Sequence, residues 1–153
     1  MYSTLLSLHS AFRWLVLVSL VWAICRAWSG FVSRTTFTPS DNLLRHWTAT
    51  IAHIQLVIGM LLYTQSALVK VYWTKQTTEQ NTGLTFFAVV HLLSMLAAIA
   101  IITIGSASAK RKQTAQEKYF TMGIYFSMAL LLILVAVPWP FSPFANRPYL
   151  RPI

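Results

Sequence analysis

Acidic residues are nearly missing from this chain. Asp41, Glu79 and Glu117 stand against 12 Lys and Arg in 153 residues, for a net charge of +9. None of the three lies within a long apolar run. A proton relay through carboxylates and a Ser-His-Asp hydrolase therefore both lack their acid. Cysteine is limited to Cys25, which excludes an intrachain disulfide; late in an apolar run, it reads as packing. No Cys-x-x-Cys occurs, so covalently attached haem and iron–sulfur clusters lack ligands. Met1 to Leu8 carries no basic stretch, and no Ala-x-Ala-like site follows the first apolar run. That run reads as a retained helix and not a cleaved signal. No internal repeat or low-complexity segment is visible.

What the chain does have is apolar length. It is 56% hydrophobic and 10% charged, with a mean hydropathy of +0.59. A soluble domain of this size could not bury that much apolar surface. Four runs, at about 5–28, 47–68, 84–104 and 119–137, each approach the ~20 residues that span a ~30 Å hydrocarbon core as a helix. Continuous runs exclude the alternating pattern of barrel strands. The expectation is an all-α membrane protein, a four-transmembrane-helix bundle running up-down-up-down over 1–138. A Pro/aromatic-rich extramembrane tail follows at 139–153, where four prolines between 138 and 148 forbid helix continuation. Ser40 or Asp41 is the expected cap of the second helix.

The basic balance carries no nucleic-acid face or motif, so nucleic acid is not an expected partner. It reads instead as topology. Arg26, Arg34, Arg45, Lys110, Arg111, Lys112 and Lys118 fall on one side. Lys70, Lys75, Arg147 and Arg151 fall on the other. Seven against four places both termini on the non-cytoplasmic side. Trp28, Trp47 and Tyr119 would mark the inner interface, and Tyr72, Trp73 and Trp139 the outer one.

Ionisable residues inside a span are expensive, so each is a functional candidate. These are His9, Arg13, His53 and His91, with His46 at the inner border of the second run. At ~1.5 Å per residue, His9 lies roughly 6–8 Å below the outer surface and His91 roughly 10 Å below it. His53 is roughly 10 Å deeper than that pair. Two imidazoles at one height can hold a haem iron between them in an apolar bundle interior. Arg13, one turn from His9, is placed to pair with a haem propionate. His53 is an alternative ligand, but no histidine matches its depth; Thr103 lies where a partner would have been. The plainer alternative is that these histidines hydrogen-bond to a neighbouring helix and that Arg13 snorkels. His46 reads as an interfacial residue. A zinc or copper site wants three or four convergent ligands, and His9, His91 and Met95 make a poor copper set. Four helices with so few polar groups supply no pore-lining rings for a channel.

Several segments carry a resemblance. The opening Leu8-His9-Ser10-Ala11-Phe12-Arg13-Trp14 and the ending Pro138-Trp139-Pro140-Phe141 are the distinctive ones. Between them lie Gln55 to Tyr63 and Phe86 to His91. In order, and over nearly the whole chain, these resemble the small four-helix bacterial inner-membrane proteins labelled cytochrome b. The resemblance implies haem b, with His9 and His91 as axial ligands and Arg13 as their companion, in the respiratory chain of the bacterial inner membrane. It departs at Thr103, where a histidine is common, and at Val90, where an acidic residue is common. The expected function is electron transport through a bis-His haem b by a redox subunit, not a stand-alone enzyme. Its partners would be the lipid bilayer, other subunits of a membrane complex and quinone. The rival expectation is a haem-free structural or accessory subunit of a larger complex, docked through residues 139–153.

Overall fold

The computed structural model describes residues 2–74 and 82–139. Lys75, Glu79 and most of the tail, including Arg147 and Arg151, lie outside the described residues. Helix α1 spans Tyr2–Val32, α2 Pro39–Gln65 and α3 Ala67–Thr74. A short α4, Thr82–Thr85, runs into a π-helical turn at Phe86–Val90 and then into α5, His91–Arg111. Helix α6 is Ala115–Ala136. No strand occurs among the described residues. Four helical stretches are long and apolar enough to cross a membrane: Tyr2–Val32, Pro39–Gln65, Gly83–Arg111 and Ala115–Ala136.

Local chemistry sets the boundaries. Helix α2 starts eight residues before the expected 47, and its cap is Thr38, not Ser40 or Asp41. The Thr38 hydroxyl accepts the Asp41 N–H at 3.2 Å, while Asp41 accepts the Thr38 N–H at 2.9 Å. Pro39 suits the first turn, where no N–H is needed. Thr114 and Glu117 repeat this capping box at α6. Helix α2 stops at Ser66, whose backbone is extended, so 67–74 becomes a separate helix. Helix α5 continues past 104 to Arg111; Lys110 and Arg111 in its last turn complement the helix dipole. Helix α6 stops before Val137, which adopts the extended backbone that Pro138 requires of its neighbour.

Helix α1 packs against α2 and α6, and α5 packs against α6 and α2. Leu20, Ala23 and Ala27 of α1 meet Tyr119, Met122, Phe126 and Ala129 of α6 and Ala98, Ile102 and Ala109 of α5 in one core. Small residues let the backbones approach. At Gly30 an added Cβ would strike the Tyr119 ring, and at Gly105 it would strike Tyr125 Cβ. The α1 and α6 spans are 39% and 44% buried, against 22% and 17% for α2 and α5. The protein core therefore belongs mainly to α1 and α6.

Charges expected in the connectors are instead buried where helix ends meet. Asp41 is 3% exposed. It receives Arg26 Nε at 2.6 Å, the Tyr119 hydroxyl at 2.7 Å and the Thr38 hydroxyl at 2.7 Å. This ties the end of α1 to the starts of α2 and α6. Tyr119 is fully buried and is therefore not an interfacial belt residue. Arg45, 4% exposed, donates to the Ser106 carbonyl at 2.8 Å and to the Ser106 hydroxyl. Its other N–H groups reach Asn42 Oδ1. A guanidinium at this depth has to be saturated by acceptors, because an unsatisfied buried donor is costly.

Candidate functional site

A cavity of about 410 Å³ lies between α1, α2 and α5 and reaches the end of α6. His9 and His91 both line it. Their ring centroids are 6.5 Å apart and their planes are inclined by 76°. These two sequence candidates are thus brought together.

The π turn Phe86–Val90 leads directly into His91, whose backbone N–H bonds to the Phe86 carbonyl. Such turns shift the helical register and recur at functional sites. Phe86 and Phe87 flank the His91 ring at 5.9 and 6.3 Å. The Ala88 carbonyl within the turn accepts the Tyr63 hydroxyl at 3.0 Å. Tyr63 in turn accepts the Trp73 indole N–H at 3.0 Å.

His91 Nδ1 lies 2.9 Å from the carbonyl of Ala136, the last residue of α6. That carbonyl would ordinarily take an N–H four residues on, but the residue there is Pro140. A carbonyl only accepts, so Nδ1 carries the proton and Nε2 keeps its lone pair. Helix α6 contributes no ionisable side chain to the cavity, but its terminal carbonyl orients the histidine.

His9 is held from α2. Gln55 Nε2 donates to the His9 carbonyl at 3.0 Å and lies 3.4 Å from His9 Nε2. Gly59, one turn on, leaves room for the imidazole: a Cβ there would sit 3.1 Å from His9 Cε1. His9 Nδ1 and Gln55 Oε1 are buried with no hydrogen-bond partner among the described residues. Gln55 and the π turn both fall in the resembling segments, but nothing in the sequence marks their roles. The pair Gln55 and Gly59, spaced one helical turn apart, is the only signal that such a cradle faces His9.

Arg13 also lines the cavity. Its guanidinium carbon lies 5.7 Å from the ring centroids of both Trp14 and Trp139. It is therefore flanked by two indoles, the second from the start of the tail. His53 does not join the cavity. It is exposed on the α2–α5 seam, with Nε2 3.1 Å from the Thr103 hydroxyl. His46 is exposed and stands edge-on to Trp47. Among the described residues no three His, Cys, Asp or Glu side chains converge as for a bare metal ion.

No protein-family model, curated protein or solved structure matches this chain.

Proposed function

We propose that this chain is a redox subunit of the bacterial inner membrane that holds one haem b between His9 and His91. The observation that carries this reading is the 6.5 Å spacing of the two imidazoles across an internal cavity. Two nitrogens on one metal, each about 2 Å from it, leave their rings about that far apart. The volume falls in the ~300–1,000 Å³ range of cofactor sites. The His91 Nδ1–H to carbonyl bond is the support that a ligating histidine ordinarily has, and it aims Nε2 as the free donor. His9 Nδ1 is a buried ring nitrogen that still needs a partner. Arg13 supplies a cation for a propionate beside the cavity.

Bound there, the haem would supply one-electron chemistry at a low-spin iron. The chain's own part is to hold the ring between two fixed imidazoles and to exclude water with apolar walls. It would exchange electrons between the quinone pool and partner subunits. An up-down-up-down course is the simplest path for four consecutive spans, and the Lys and Arg bias supports placing both termini outside the cytoplasm. A reduced-minus-oxidised spectrum of the purified protein tests the reading. A b-type band that disappears in His91→Ala is expected; no band, or a band unaltered by that substitution, refutes it.

A second reading has its own observation. His91 already bonds to Ala136 and Gln55 to His9, so the same polar groups serve as interhelical bonds of a haem-free accessory subunit. In that case His91→Ala lowers unfolding resistance in a protein that never shows a haem band. The tail would dock a partner, and truncation after Ser142 would release the chain from its complex.

A further inference from the structure

Helix α2 carries an imidazole on the outside of the bundle. His53 and Thr103 are both exposed, and they touch across the outer edge of the α2–α5 seam. The spans of these two helices are the least buried of the four, at 22% and 17%. Thr103 precedes Lys110 by two helical turns, or ~10 Å, and His53 follows His46 by the same distance. Both therefore lie within the hydrocarbon, too deep for a short imidazole to reach the headgroups.

The hydrogen bonds of this pair do not close within one chain. Thr103 gives its proton to the Ile99 carbonyl at 2.7 Å, so its oxygen accepts the His53 Nε2–H at 3.1 Å. Nδ1 of the neutral ring is then an acceptor, and no described residue donates to it. Thr50, one turn before His53, directs its hydroxyl to the His46 carbonyl. An unmet polar atom in hydrocarbon is costly. The Ile99 carbonyl already receives the backbone N–H of Thr103 within α5 and does not need the hydroxyl. The Thr103 proton can therefore turn to another acceptor.

We infer that the α2–α5 seam is the contact face of a symmetric dimer of this chain, closed by a ring of hydrogen bonds between His53 and Thr103 of the two copies. Each His53 Nε2–H donates to Thr103 of its own chain. Each Thr103 hydroxyl donates to His53 Nδ1 of the other copy. Every donor and acceptor of the pair is then used. Two copies inserted the same way share a two-fold axis along the membrane normal, so like residues meet at one depth. A helix of another sequence would need its own hydroxyl or amide at that depth; a second copy brings one by symmetry. Ala100, exposed one turn before Thr103, lets the backbones approach. Val57, 60% exposed and one turn after His53, is covered in the dimer. The inference rests on neither reading of the cavity.

The test traps neighbours in native membranes that contain the full chain. In a Cys25→Ser background, copper phenanthroline should link Val57→Cys into an adduct of twice the chain mass. Leu131→Cys, at a position 65% exposed on α6, should stay unlinked. Native mass spectrometry of the unaltered chain ejected from vesicles should show two copies, and it needs no variant to fold. An interhelical hydrogen bond is worth about threefold in an equilibrium constant. Thr103→Val removes the two between copies and should weaken dimerisation in vesicles about eightfold, while Thr103→Ser should leave it unchanged. No adduct at 57, an adduct with a different protein, or equal trapping at 57 and 131 overturns the proposal. So does a monomer from the unaltered chain, or dimerisation that Thr103→Val leaves unaltered.

Discussion

His53 Nε2 lies 3.1 Å from the hydroxyl of Thr103, which itself donates to the Ile99 carbonyl at 2.7 Å. The ring N–H is therefore the donor between α2 and α5. Interhelical hydrogen bonds in membranes contribute about 0.6 kcal/mol each on average. Thr103→Val should cost about that much in a denaturant titration in detergent. It should leave any haem band unshifted, because the pair lies outside the cavity. A lost band would place His53 in the site after all.

Asp41 and Tyr119 should be energetically coupled. Both are buried, and the 2.7 Å bond between them is a charge-assisted one, a hydroxyl donating to a carboxylate. A double-mutant cycle of Asp41→Asn and Tyr119→Phe should return a coupling of about 1 kcal/mol or more. Additive effects would mean that the helix ends are held by packing alone.

The four spans were legible because ~20-residue apolar runs have no other stable use. The similar heights of His9 and His91 were legible from residue counting along parallel-running spans. The Asp41 cluster was not. Arg26, Asp41 and Tyr119 lie 15 and 78 positions apart, and composition alone assigns charges near run ends to solvent. The helix start was legible near Ser40 and Asp41, but the Thr38-x-x-Asp41 spacing makes Asp41 the third helical residue and Thr38 the cap. Gln55 opens one of the resembling segments, but its role was hidden for another reason: a lone amide in an apolar run has no period.

The glycines of α2 and α5 should separate stability from site geometry. Gly105→Ala sets a methyl against Tyr125 Cβ, which is fixed to the backbone and cannot move aside. A loss of about 1–3 kcal/mol in the same titration is expected. Gly59→Ala meets only the edge of the His9 ring, at 3.1 Å. It should cost less than Gly105→Ala and, on the haem reading, shift the absorption band or midpoint potential. A Gly59→Ala protein with an unaltered band and potential would remove His9 from the ligand set.

The turn at Phe86–Val90 makes the direction of His91 a matter of residue count. Each residue of an α-helix advances the side chain by about 100°. Deleting Leu93, in the plain α-helix just past the turn, should swing His91 and its flanking Phe86 and Phe87 together by about that angle relative to the rest of α5. The Ala136 contact and the α5 wall of the cavity would then no longer face the same way. Every residue that lines the cavity would still be present in the chain, and their arrangement would still be lost. The aim of His91 is written in spacing, so an inserted or missing codon is a graver lesion here than most substitutions.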